Sequence, residues 1–249
     1  MRNPLVMKLE RALPLTLEDR ACLAALTAKQ RVVPAREDII RDGERPQDVR
    51  LIIEGFACRY KLMSSGRRSI MAYLLPGDFC DLHGAILGRM DHGVISLTPC
   101  SVVDVPHTTI YEMMDARPQL GRALWWSMLA DEAILREWLV TMGQRSAEQQ
   151  LAHLLCELRV RLSMVGMCRD NTFKLPVTQE ELGHTLGIST VHVNRVLQHL
   201  RGNGLVRLLD KTVLIPNVVA LEKFAEFDSD YLNLGNPVRQ AETLLSESA

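Results

Sequence analysis

Residues 178–216 read TQEELGHTLGISTVHVNRVLQHLRGNGLVRLLDKTVLIP. Thr178 and Glu181 form T-x-x-E, a capping box that opens a helix. Leu182, Thr185 and Leu186 continue it, and Gly187 stands where it must stop. Ile188 plugs the core of the turn, and Ser189 is a suitable N-cap for a second helix. In that helix Val193, Val196, Leu197 and Leu200 recur at spacings of three, one and three, one helical face. RGNG ends it. Two short helices joined by a glycine-containing turn read as a helix-turn-helix. LVRLLDKTVLI then reads as two strands joined at Asp210-Lys211, which makes the unit a winged helix.

The opposite face of the second helix carries Thr190, His192, Asn194, Arg195 and His199. These side chains are short or forked and rich in donors, where an ordinary solvated face carries Glu and Lys. The second helix of such a unit lies in the major groove with its N-terminal residues at the base edges. Arg195 can fork onto guanine, and Asn194 can reach an adenine or a phosphate; Val191 and Gln198 lie on the same predicted surface. Thr178, Gln179 and Ser189 sit near helix N-termini, where hydroxyls, amides and backbone N–H groups hold phosphates. Arg201, Arg207 and Lys211 add charge contacts to the backbone. Two capped amphipathic helices alone are a common α-hairpin. The cap, turn, polar outer face and trailing hairpin together point to double-stranded DNA as partner.

The chain has 249 residues, 47% of them apolar and 24% charged, the composition of an ordinary globular protein. Net charge is −1, so contact with nucleic acid must come from a local patch. No apolar run approaches the roughly 18 residues needed to span a bilayer. The start, MRNPLVMKLERALPL, lacks an apolar core followed by a small-residue cleavage site. The six cysteines (Cys22, Cys58, Cys80, Cys100, Cys156 and Cys168) are scattered and read as reduced thiols, so the expected location is cytoplasmic.

Residues 1 to about 29 read as a helical lead-in with Leu9, Leu13 and Leu17 on one face. Gly43, Gly55, Gly66 and Gly77 then fall at intervals of eleven or twelve residues, separating VRLIIEG, FACRYKL and RRSIMAYLL. Evenly spaced short strands with glycine turns predict an antiparallel β barrel, sandwich or roll, ending near His107. From Pro118 the period turns helical. Leu124, Met128, Asp131, Leu135, Trp138 and Met142 follow a four-three spacing, a seam about three heptads long that suggests a partner helix from a second copy of the chain. Asp131 is awkward there; it can set register or pair with Arg136. The pattern breaks near Gly143–Ser146. A further helix, SAEQQLAHLLCELRVRLSMVG, precedes a polar turn region, MCRDNTFKLPV. The expected division is a β-roll sensor domain over 1–116, a dimerisation helix over 117–144, and a winged helix-turn-helix domain with a polar, partly ordered tail over 145–249.

This order of parts resembles the Crp–Fnr family of bacterial transcription regulators over almost the full chain, most specifically in TQEELGHTLGISTVHVNRVLQHLRGNGLV. The resemblance implies an α+β fold: an N-terminal antiparallel β roll of the cupin-like, cyclic-nucleotide-binding-like kind, a long dimerisation helix and a C-terminal winged helix-turn-helix. It also implies a homodimer on a two-fold related operator, with RNA polymerase as a further partner. In that family an arginine at the position of Arg195 reads guanine, and Thr190, Val191 and Asn194 match other base-contacting positions. Val191 departs: well-known members have a glutamate that accepts from cytosine, whereas a valine can only touch a thymine methyl.

The roll departs more. Cyclic-AMP-binding members show a glycine-glutamate pair and then an arginine-serine pair for the cyclic phosphate. Here the stretch is PGDFCDLHGAILGRMDHGVISLTPC. Gly77-Asp78 keeps the turn, but the only arginine is Arg89 in GRMDH, so cyclic AMP is disfavoured. Oxygen-sensing members hold an iron–sulfur cluster through several N-terminal cysteines, and only Cys22 lies there. Gly77, Asp78, Phe79, Cys80 and His83 are the candidate effector-pocket residues. Cys80, His83, His92 and Cys100 suit zinc, copper or haem iron by type, with Cys58 on an earlier strand, but their spacing is weak; no metal site is assigned and no cofactor named. Met63, Met71, Met90, Met113 and Met114 read as core filler. Adjacent Trp125 and Trp126 must point to different sides of their helix, one toward the roll and one toward a partner. No phosphate-cradling loop, H-E-x-x-H or G-x-S-x-G occurs, and an enzyme is not expected. The alternative is a metal-, haem- or redox-responsive module acting through protein partners without specific DNA binding.

Overall fold

The computed structural model describes residues 3–234. The four evenly spaced glycines set the frame of the first half. Gly43, Gly55, Gly66 and Gly77 all take positive φ and separate strands β2 (Asp38–Ile40), β3 (Asp48–Glu54), β4 (Ala57–Leu62) and β5 (Arg68–Leu74). At Gly55 a Cβ would lie 2.5 Å from the carbonyl oxygen of Pro99, so the close return of the chain there admits only glycine. With β1 (Arg31–Val33), β6 (Gly93–Ser96) and β7 (Cys100–Pro106), these strands form two antiparallel sheets, ordered β1-β7-β3 and β2-β6-β4-β5. Short helix α3 (Gly84–Leu87) lies between β5 and β6. The expected α+β class and β roll stand.

The lead-in is two helices, α1 (Pro4–Leu9) and α2 (Leu17–Leu26), rather than one amphipathic face. Leu9 and Leu13 are buried, but Leu17 is exposed. Thr16 and Asp19 form a capping box there, so α2 starts a new axis and Leu17 is only its first residue.

Helix α4 (His107–Ala116) leads into α5 (Pro118–Gln144), 27 residues and about 40 Å long. Its first half packs on the roll through Leu120, Ala123, Leu124, Trp126 and Ala130. Its second half joins the other core through Ile134 and Trp138. A Ser146–Gln149 capping box starts α6 (Ala147–Met164), whose Leu151, Leu155, Leu158 and Leu162 are buried. The predicted polar turn region is instead a hairpin, β8 (Cys168–Arg169) and β9 (Thr172–Lys174). Its strands are too short to alternate visibly; they exist because β9 pairs with β11 (Thr212–Leu214), which pairs with β10 (Arg207–Leu209). Between them run α7 (Gln179–Leu186) and α8 (Thr190–Gly202), and α9 (Val218–Ala225) closes this half on α6. The predicted tail beyond residue 234 lies outside the described residues.

Candidate nucleic-acid interface and effector cavity

The start of α7 is a closed hydrogen-bond ring. The backbone N–H of Thr178 donates to Glu181 Oε2 at 2.7 Å, and the N–H of Glu181 donates to Thr178 Oγ1 at 3.2 Å. Gly187 ends α7 in the left-handed region at φ 69°, and Ser189 Oγ accepts from the N–H of His192 to start α8. One residue escaped the sequence reading. A Cβ on Gly183 would lie 2.7 Å from the carbonyl oxygen of Ile188, so this glycine lets α7 sit against the turn. Its signal was a glycine inside a helical pattern, where it costs about 1 kcal/mol without a packing reason.

Val193, Val196 and Leu200 anchor α8 and are fully buried. Thr190, Val191, Asn194, Arg195, Gln198 and Arg201 are all exposed on its outer side, with His192 half-buried beside them. Gln179, from the first turn of α7, joins this surface: Asn194 Nδ2 donates to its Oε1 at 3.3 Å. Asp210 and Lys211 both have positive φ, the geometry of a tight hairpin turn, and Lys211 stands exposed at its tip. The outer side of α8 thus collects amide and guanidinium forks beside the helix N-termini, and the wing adds an exposed cation at its tip, the groups that contact phosphates and base edges.

The inner side of α7 rests on the roll. Glu181 is fully buried and pairs with Arg36, Tyr73 and Thr185 share a hydroxyl–hydroxyl bond of 2.6 Å, and Arg68 Nε donates to His184 Nδ1 at 3.4 Å. The carboxylate that caps the first helix of the helix-turn-helix is therefore also its link to the roll.

Between the roll and α5 lies a cavity of about 430 Å³. Of the predicted effector-pocket residues, Phe79 and His83 line it, with Arg59, Met71, Leu82, Asp91, His92 and, from α5, Trp125, Met128, Leu129, Asp131, Glu132 and Leu135. Gly77, Asp78 and Cys80 do not line it. Gly77 backs onto the carbonyl of Pro4, where a Cβ would sit 2.7 Å away. Asp78 is buried beneath the roll, accepting from Lys8 Nζ at 2.7 Å and from Arg161 at 2.8 Å. Burial alone would raise its pKa, but the two cations hold it at about 2. Cys80 lies in an apolar cluster with Cys100, and burial pushes its thiol well above the ordinary range. Cys58 and Cys100 are pushed up by burial to about 12 and about 11. The thiols are protonated core residues, not reactive ones. Cys80 and Cys100 thus part from His83 and His92, whose rings lie 5.5 Å apart, tilted by 31°, on the cavity side.

The seam predicted on α5 is displaced by one residue over part of its length. Leu124 and Trp138 are buried inside the subunit. Trp138 turns inward because its Nε1 donates to buried Glu157 at 2.8 Å. Asp131 turns inward to pair with Arg59 at 3.0 Å and Lys8 at 3.9 Å; Arg136 pairs with Glu132 instead. The outward stripe is Met128, Glu132, Leu135, Leu139 and Met142, a four-three-four-three spacing flanked by Trp125 and Leu129. Leu135 is 53% and Leu139 74% exposed. Trp126 faces the roll and Trp125 faces out.

Two family models match. Residues 30–117 match the cyclic nucleotide-binding domain, and residues 149–224 the Crp-like helix-turn-helix domain. The chain is 28% identical over 200 residues to the transcriptional activator protein FnrL of Cereibacter sphaeroides, covering 79% of this chain and 80% of that one. The chain belongs to the Crp–Fnr family of DNA-binding transcription regulators. The nitrogen fixation regulation protein FixK of Bradyrhizobium diazoefficiens is another relative, 26% identical over 174 residues, covering 70% of this chain and 72% of that one. The same fold occurs in the structure of FixK2 from Bradyrhizobium japonicum, with a TM-score of 0.70 at 23% identity, covering 79% of this chain and 96% of that one. The α7–α8 unit lies within the residues that match the Crp-like helix-turn-helix domain, and the roll within those that match the cyclic nucleotide-binding domain. Among the described residues no helix is long and apolar enough to cross a membrane.

Proposed function

We propose that this Crp–Fnr regulator acts as a homodimer on a two-fold related operator, its α8 helices entering successive major grooves. The observation that carries the reading is the outer face of α8, where Asn194, Arg195 and Gln198 stand exposed over a fully buried aliphatic base. Arg195 reads a guanine, Asn194 and Gln198 contact neighbouring bases or phosphates, and Val191 meets a thymine methyl. Thr178, Gln179, Ser189, Thr190, His192, Arg201, Arg207 and Lys211 hold the backbone. The exposed stripe of α5 supports self-association: Met128, Leu135, Leu139 and Met142 repeat at heptad spacing, interrupted at Glu132, and so much exposed apolar surface is stable only when covered. Half-sites then lie about 10 base pairs apart, centre to centre. The functional division is a sensor over 1–116, a dimer helix over 117–144 and a DNA-binding part over 145–249. Action is cytoplasmic and passes to RNA polymerase. Activation is the expected direction, given the relatives named activators.

The cavity argues against cyclic AMP as the signal. Among the described residues its lining offers one guanidinium, Arg59, against three carboxylates, Asp91, Asp131 and Glu132. Arg59 already donates to Asp131 and to the carbonyl oxygens of Phe79 and Cys80. A phosphate would meet net negative charge.

The test is selection of duplexes from a random library, followed by titration at several salt concentrations. A palindromic consensus, and binding that falls steeply with salt, is the expected result. No preference over random DNA overturns the reading.

A further inference from the structure

Helix α3 and the loop after it fold back on themselves. His83 precedes the helix, and Asp91 and His92 precede β6. The loop is pinned at Met90, whose N–H donates to the Glu44 carbonyl at 2.9 Å and whose carbonyl accepts from the N–H of Gly43 at 3.0 Å. This brings one ring nitrogen from each histidine and one carboxylate oxygen of Asp91 within 4.8 Å of one another. Asp91 Oδ1 and His92 Nδ1 are 2.6 Å apart, which directs the lone pair of that imidazole to Nε2. Nε2 is buried and, among the described residues, has no hydrogen-bond partner. A buried polar nitrogen left without a partner is costly unless something occupies it. The surroundings favour a cation: Arg59 is neutralised by Asp131, and the cavity lining carries a surplus of carboxylates.

We propose that His83, His92 and Asp91 bind a divalent transition-metal ion at the edge of the cavity between the roll and α5. Two imidazoles and one carboxylate on one side of an ion leave its other positions open, here toward the cavity. Bonds of about 2.0–2.2 Å require ligand atoms roughly 3 Å apart, which small side-chain rotations supply. The open positions then take a small anionic or neutral donor molecule in a space whose far wall is Trp125, Met128, Leu129 and Leu135. Those residues also border the exposed face of α5, so whatever binds the ion touches the element proposed for self-association. The coupling rests on the proposed homodimer; the metal site does not.

The experiment uses the full chain, stripped with chelator and dialysed. Calorimetry with zinc(II) alone should show one equivalent per chain. Cobalt(II) should give weak visible bands without the intense near-ultraviolet absorption of a cobalt–thiolate. His83→Gln and His92→Gln should each weaken zinc binding at least tenfold, and Asp91→Asn about tenfold or more. His92 is mostly buried, so His83→Gln and the cobalt spectrum keep the test decisive if His92→Gln fails to fold. No uptake at tenfold excess overturns the proposal, as does unchanged affinity in the His83→Gln/Asp91→Asn double variant, which places the ion elsewhere, or a thiolate band, which moves it to the cysteines. Each readout is made without DNA, so its failure leaves the operator reading intact, and loss of operator binding leaves the site intact.

Discussion

Helices α5 and α8 each keep one long face outside the subunit, and the two faces are opposites. That of α8 is built of amides, two guanidinium groups and hydroxyls. That of α5 is built of Leu135, Leu139, Met142 and Trp125, with the Glu132–Arg136 pair across its middle. Water tolerates the first and penalises the second. A polar face can stay open until DNA arrives, whereas an apolar face asks for a permanent cover. The backing differs in the same sense. Buried Val193, Val196 and Leu200 seat α8; α5 is held from below by Lys8 and Arg59 through Asp131, next to the pairs of Lys8 and Arg161 with Asp78.

The sharpest way to break the comparison is to make the α5 face polar. Leu135→Glu with Leu139→Glu removes four leucines from the proposed two-fold interface, on the order of 6 kcal/mol, and should leave a folded monomer by sedimentation. An unchanged dimer would place the interface elsewhere. Next comes the backing. Asp78→Asn removes the carboxylate shared by Lys8 and Arg161, leaving them only Asp131 and Glu157, and should cost about 3 kcal/mol of stability at pH 7 in denaturant titrations. The folded pKa, about 2, lies below the ordinary 3.8, so the unfolded chain binds the proton more readily. Stability of the natural protein should therefore fall as pH drops from about 4 to 2, while the variant lacks that slope and the gap closes. Then the α8 face: Arg195→Ala should cost about 1–3 kcal/mol of specific binding and relax one base position per half-site, with random-duplex affinity unchanged. Equal losses on both would make Arg195 a phosphate contact. Smallest is Thr178→Ala, about 1 kcal/mol of stability from the lost cap, read as a modest drop in melting temperature.

The helix-turn-helix was legible because its rules are local. Thr178 meets Glu181 three residues away, Gly187 stops a helix by its own conformation, and Ser189 serves a neighbour three residues on. The glycine turns of the roll were legible for the same reason. What failed was decided at a distance. The partners of Asp78 are 70 and 83 residues away in the chain, so the turn could be read but not the fate of its carboxylate. Asp131 pairs with Arg59 across 72 residues, and that pair chooses between two adjacent heptad phases that the apolar pattern of α5 leaves nearly equal. The β8–β9 hairpin has only two and three residues per strand and owes its existence to β11. In the cavity His83 and Phe79 were legible, but Asp91 carried no signal until the loop brought it back to His83.

The tryptophans give this molecule a colour code of its own. Of the three, Trp126 and Trp138 are each 8% exposed and Trp125 is 67% exposed. Only one indole therefore emits from a wet environment, and it stands where the outer face of α5 meets the cavity rim. Closure of either one dries that indole and moves its emission to the blue, while the other two hold steady as an internal reference. Association and effector capture can both be followed by light from the unlabelled chain, and Trp125→Phe switches the signal off.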